Sequence, residues 1–122
     1  MLDHIDFGVT DLASSRSFFV NALAPLGFTI LTEGTHGVGL GKLGKPCLFL
    51  APSSSKPTPF HIAFTANERA EVDAFYQAAL AAGGTDNGSP GLRPNYHPDY
   101  YAAFVIGPDG HNVEAVCHEA EA

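Results

Sequence analysis

Two histidines each open a short apolar string, His4-Ile5-Asp6-Phe7 and His61-Ile62-Ala63-Phe64, and the strings stand 57 residues apart. The same interval superimposes Phe18 on Phe75, Phe19 on Tyr76, Ala22 on Ala79 and Leu23 on Leu80, so the chain carries an internal repeat. A duplicated strand-helix unit that keeps an imidazole at one place in both copies sets two imidazoles at equivalent places in a two-fold arrangement. Brought together, they make half of a metal site. Near the other end, Glu114 stands between Val113 and Ala115 in a string that otherwise reads apolar. Burying a carboxylate there without a cation or donors costs roughly several kcal/mol, and a metal would remove that cost. The plainer alternatives are a half-exposed histidine bonded to backbone and a glutamate facing solvent on an edge strand.

A second concentration of chemistry lies in Gly91-Leu92-Arg93-Pro94-Asn95-Tyr96-His97-Pro98-Asp99-Tyr100-Tyr101, which gathers three of the four tyrosines with an arginine and a histidine. Phenols and a guanidinium suit a lid that binds oxygen-rich groups and excludes water, which makes Arg93, Tyr96, Tyr100 and Tyr101 candidates for substrate binding. A structured loop with tyrosines packed on the sheet edge is the alternative. Strand alternation puts Tyr101, Ala103 and Val105 on one face and Tyr100, Ala102 and Phe104 on the other, so only one of Tyr100 and Tyr101 looks into a cavity. Sequence does not say which. His36, among glycines, and His111, in a turn, read as surface residues, whereas His118 is on the same strand face as Glu114 and is a minor candidate for bonding a ligand from behind.

The elements that must position these groups follow from periodicity. Ile5, Phe7 and Val9 alternate with His4, Asp6 and Gly8, the period of a strand, with the histidine turned away from the apolar layer. After Asp11, a candidate cap, Leu12, Ser15, Phe18, Phe19, Ala22, Leu23 and Leu26 recur at helical spacing until Gly27. Glycines then punctuate strands expected at 28–32, 36–42 and 46–51. A Pro- and Ser-rich linker at 52–59 follows, and the plan repeats with a strand at 60–65, a helix at 68–82 and a Gly83-Gly84 stop. Residues 85–98 read as a long loop with at most a short irregular strand. Strands at 100–106 and 112–117 flank an Asp109-Gly110 hairpin signal.

The composition bounds the function. At 122 residues the chain makes one domain, divided as module one 1–51, the linker 52–59 and module two 60–118, and it buries a core without needing a metal or disulfide to fold. Its content of 45% hydrophobic and 16% charged residues is that of a soluble protein, with no apolar run of membrane-spanning length. A net charge of -7 argues against phosphate-backbone binding to nucleic acid. Cys47 and Cys117 read as reduced, buried thiols, and the start of the chain runs straight into a strand pattern, so a cytoplasmic location is expected.

Taken together, His-Ile in a first strand, Val9-Thr10-Asp11-Leu12 leading into a helix with Phe18-Phe19, Gly27-Phe28, the second His-Ile and Pro108-Asp109-Gly110-His111-Asn112-Val113-Glu114 resemble the vicinal oxygen chelate superfamily. That group includes glyoxalase I, extradiol dioxygenases and the bleomycin resistance proteins. The resemblance implies an α+β fold in which two βαβββ modules form a curled mixed sheet with helices outside. It places metal ligands on the first and last strands of each module, which here are His4, His61 and Glu114. Matching Gly44-Lys45-Pro46-Cys47-Leu48 to Gly110-His111-Asn112-Val113-Glu114 puts Leu48, which cannot bind a metal, at the fourth ligand position.

Two histidines and one carboxylate suit Fe, Mn, Ni or Zn as a divalent ion, with open positions for water or substrate. The resemblance thus implies a metal-dependent lyase or isomerase. In it the ion chelates two adjacent oxygens of a small substrate and stabilises an enediolate or oxygenated intermediate, and Glu114 or a metal-bound water acts as base. The alternatives are an extradiol-type dioxygenase and a metal-free protein that sequesters a ligand, for which Asp6 would be one acidic residue of the cleft. A homodimer is implied as well. If modules are exchanged across it, His4 of one chain meets His61 and Glu114 of the other.

Overall fold

The alternation at the start of the chain becomes strand β1 (Ile5–Val9), and the helical spacing after it becomes α1 (Leu12–Leu23). In the computed structural model, which describes residues 1–121, Asp11 caps α1 by accepting from the Ser14 backbone N–H at 3.2 Å. That bond holds its carboxyl below the usual carboxylate range. Phe18, Phe19, Ala22 and Leu23 line the buried face of α1. A single 3-10 turn, Ala24–Leu26, ends at Gly27, whose φ of 90° is the left-handed conformation of a helix stop. Strands β2 (Thr29–Gly34), β3 (Gly37–Lys42) and β4 (Lys45–Pro52) complete the first sheet in the order β1-β4-β3-β2, with β1 parallel to β4 and the rest antiparallel.

The second half repeats this plan with β5 (His61–Thr65), α2 (Arg69–Ala81), β6 (Thr85–Leu92), β7 (Tyr101–Ile106) and β8 (Asn112–Cys117), in the order β5-β8-β7-β6. Both modules are therefore βαβββ, and their hydrogen bonds make two four-stranded mixed sheets. Residues 85–92, expected as loop, form the eight-residue strand β6. Two register shifts, at Asp86/Gly88 and Gly88/Gly91, admit the Gly and Pro that obscure its alternation.

The helices cover one face of each sheet. Val72, Phe75 and Ala79 of α2 are buried, as are Ala103 and Val105 of β7 and Val113, Ala115 and Cys117 of β8. Ala102, Phe104 and Ile106 take the other, concave face, and register carries that face onto Val116, Glu114 and Asn112 of β8 and then Ala63 and His61 of β5.

The modules meet around His111. It is fully buried, against the surface position expected of a turn residue, because the turn at Pro108–Gly110, with Asp109 and Gly110 both at positive φ, carries the ring inward. The imidazole packs on Phe60 (4.2 Å between centroids) and Phe7 (5.3 Å), and its Nδ1 accepts from the Phe60 backbone N–H at 3.2 Å. Burial pushes its pKa down. Beside it, Thr10 donates through its backbone N–H and its hydroxyl to the two carboxylate oxygens of Asp109, at 3.1 and 2.7 Å.

Candidate metal centre

On the concave face of module two, His61 Nε2 lies 2.6 Å from Glu114 Oε1, and Tyr100 Oη donates to Glu114 Oε2 at 2.5 Å. Strand register produces this arrangement. Glu114 pairs with Phe104 across β7 and with Ala63 across β5, and His61 is two residues before Ala63 on the same face. Glu114 is 1% exposed, and each of its oxygens has a partner, whereas the His61 side chain is 52% exposed. One end of the pair is thus fixed and dry, and the other open.

The pair offers a metal ion two donors. The two atoms stand a little closer than the roughly 3 Å between neighbouring donors around a first-row ion with bonds of about 2.0–2.2 Å. An imidazole nitrogen and a carboxylate oxygen are the donor types such an ion takes. Among the described residues no group of three His, Cys, Asp or Glu side chains is close enough to hold a metal. The chain alone therefore brings together His61 and Glu114 but not His4.

His4 is on the other module. Its ring is edge-on to Phe49 (5.5 Å between centroids), its Nδ1 is 2.8 Å from Asp3 and its Nε2 is 3.9 Å from Asp6. Lys45 also bonds Asp3, and chiefly this bond, then that of His4, holds the Asp3 carboxyl low. Register corrects the position of the missing ligand. Phe49 pairs with Asp6 in β1 as Glu114 pairs with Ala63 in β5, so Phe49, not Leu48, stands where Glu114 stands. The hairpins explain the slip, since β3 and β4 are joined by the two residues Leu43-Gly44, both at positive φ, whereas 107–111 joins β7 and β8. Aligning their glycines shifts the strand by one residue and hence to the other face, where Leu48 is fully buried.

The loop residues divide. Tyr100 is the tyrosine of the concave side, and burial first, then the bond to Glu114, pushes its pKa up to about 12. Tyr101 is a correction to the candidate substrate-binding set, because its hydroxyl donates to Asp73 of α2 at 2.6 Å and the Arg69 guanidinium lies over its ring. That bond, with burial, pushes its pKa up to about 12 as well. Tyr96 is 64% exposed with its ring 5.1 Å from that of Tyr100, and His118 also approaches Tyr100 at 5.1 Å. Arg93 lies over the Phe104 ring at 5.3 Å, and His61 approaches the same ring at 5.9 Å. Phe104 is a site residue that sequence reading passed over, although its phase with Tyr100 was visible.

Two clefts open beside His4 and Phe49, one within module one and one between the modules. One, of about 280 Å³, is lined by Asp6, Glu33, His36 and Phe49 among others. The second, of about 330 Å³, runs between β1 and β5 past His4, Cys47, Ala63 and Thr65. Burial pushes the Cys47 thiol up, keeping it protonated beside His4. Neither cleft is lined by Glu114.

Residues 1–115 match the model of the Glyoxalase/Bleomycin resistance protein/Dioxygenase superfamily. Among solved structures, a glyoxalase/bleomycin resistance protein from Albidiferax ferrireducens T118 is similar at 26% identity and a TM-score of 0.79, over 96% of this chain and 98% of that one. A glyoxalase-related enzyme from Fulvimarina pelagi (20%, TM-score 0.75, 96% and 87% covered) and a family enzyme from Burkholderia phytofirmans PsJN (18%, 0.74, 96% and 98%) share the fold. No curated protein matches the chain.

Proposed function

The chain belongs to the glyoxalase/bleomycin resistance/dioxygenase superfamily, and from that premise we propose that it is a metal-dependent lyase or isomerase acting on a small oxygen-rich substrate. The observation that carries this reading is the dry Glu114 carboxylate held between His61 and Tyr100 on an otherwise open face. His61 Nε2 and Glu114 Oε1 would be two ligands, and His4 of a second copy the third. The exchanged homodimer is preferred because His4 and the His61–Glu114 pair do not form one cluster within a chain.

A bound divalent ion would supply Lewis-acid polarisation of two adjacent substrate oxygens. The protein's own groups do the rest. Tyr100 occupies Glu114 Oε2 and so leaves Oε1 as the oxygen facing substrate. Glu114, once Oε1 is released from the ion, would accept the proton from the substrate carbon there and return it to the neighbouring position. Phe104 walls the site with an apolar ring that excludes water. The donor set of two histidines and one carboxylate also favours a second reading, ring-cleaving dioxygenation with Fe(II).

Mixing variants tests the shared site. His4→Ala and Glu114→Ala proteins should each lose metal binding. Unfolded and refolded together, they should regain one ion per heterodimer, since one of its two sites then has all three ligands. No recovery in the mixture would refute a site shared between copies. Full metal binding by His4→Ala alone would refute His4 as a ligand.

A further inference from the structure

We propose that Arg93 is the anion-recognising residue of this face, so that the substrate carries a carboxylate or phosphate-type group beside the oxygens engaged at His61 and Glu114. The proposal rests on the reading that substrate binds on the concave face of module two. The chain has three arginines. Arg16 is paired with Glu33 and Arg69 with Glu121, whereas Arg93 has no carboxylate partner among the described residues. In a chain with thirteen acidic and six basic residues, an arginine left without an acid is the exception.

Arg93 is nonetheless held in place, entirely by neutral groups. Its Nη1 donates to the Gly91 carbonyl at 2.9 Å and its Nη2 to the Ser89 carbonyl at 2.8 Å, and its guanidinium carbon lies 5.3 Å from the Phe104 centroid. Two glycines make room for it. A Cβ on Gly91 would be 3.2 Å from Nη1, and one on Gly88 would be 3.2 Å from Nη2 and 2.9 Å from the Phe104 ring. These contacts orient the fork without neutralising it, and they use two of its five N–H donors. The remaining donors suit a planar carboxylate or a phosphate. Phe104 is shared with His61 and is the cross-strand neighbour of Glu114, so an anion at Arg93 would adjoin the candidate ligand pair.

The competing role is a clip that fastens β6 to the 93–100 loop, and it predicts a loss of thermal stability alone. Inorganic phosphate and, separately, acetate would be titrated into metal-free full-length protein while the Arg93 Nε–Hε NMR signal is followed, with chloride at matched ionic strength as control. The expected result is saturable movement of that signal, with a Kd on the order of 1 mM for one of the two anions. Affinity should weaken at least about tenfold in Arg93→Gln and be partly retained in Arg93→Lys. The anion that saturates identifies the class, carboxylate or phosphate. Movement no larger than with chloride, or equal affinity in Arg93→Gln and wild type, would overturn the proposal, the latter also when Arg93→Gln melts earlier. If Arg93→Gln does not fold, the wild-type titration decides. Because the titration is metal-free, failure of the metal reading leaves its outcome intact, and failure here leaves the metal reading intact.

Discussion

Phe49 holds in the first sheet the place that Glu114 holds in the second. Each is paired in register with the residue two positions after a repeated histidine, Asp6 in one module and Ala63 in the other. His4 accordingly packs edge-on to a phenyl ring, whereas His61 meets a carboxylate. The duplication has kept both imidazoles and one acid, and the first copy's acid position is aromatic.

A substitution pair checks this register. Phe49→Glu puts a carboxylate on the half-buried concave face beside His4 and should fold. Leu48→Glu puts one in the fully buried layer under α1 and should cost several kcal/mol, on the order of the penalty for an unpaired buried charge. Urea denaturation of both variants measures it, and equal midpoints would contradict the register.

Tyr100→Phe should leave Glu114 Oε2 buried without its donor, at a cost of about 1–3 kcal/mol in unfolding free energy. The same variant should remove one of the phenols that ionise near pH 12, and Tyr101→Phe the other. Metal affinity is the distinguishing readout: Tyr100→Phe should change it, and Tyr101→Phe, whose hydroxyl is on Asp73, should not. Absorbance titration and equilibrium dialysis against Mn(II) supply the two measurements.

The His111 junction should make stability depend on pH. Burial holds its folded pKa below the unfolded value of about 6.5, so the unfolded chain binds the proton more readily. The neutral ring's contribution is present above pH 6.5 and is lost as pH falls from there toward the lowered folded value. Protonation would also remove the acceptor used by the Phe60 N–H. His111→Leu should be less stable at pH 8, with a Phe60 N–H left unpaired, and should show a shallower fall in melting temperature between pH 6.5 and 5. Melting curves across that range check the sign, and an unchanged slope would contradict it.

Sequence showed most of this architecture because two periods and an internal repeat wrote it twice. The helices follow from apolar residues at helical spacing, and the first strands and the face of His61 and Glu114 follow from alternation. Besides the burial of His111, three features were hidden for physical reasons. Strand β6 breaks its alternation with Gly88, Pro90 and Gly91, which serve the register shifts and the Arg93 cradle. The position of Phe49 depended on unequal hairpins, which no residue pattern inside the strands reports. Tyr100 and Tyr101 are equal candidates until α2 offers Asp73 to one of them.

Metal content of untagged protein, purified without chelator, tests the central claim most directly. Elemental analysis of the wild type beside His61→Ala and Glu114→Ala should find near-stoichiometric Fe, Mn, Ni or Zn in the wild type and a loss of it in both variants. Retention of the same ion in Glu114→Ala, or no metal in the wild type even after reconstitution, would contradict the account and favour a protein that sequesters its ligand without a metal.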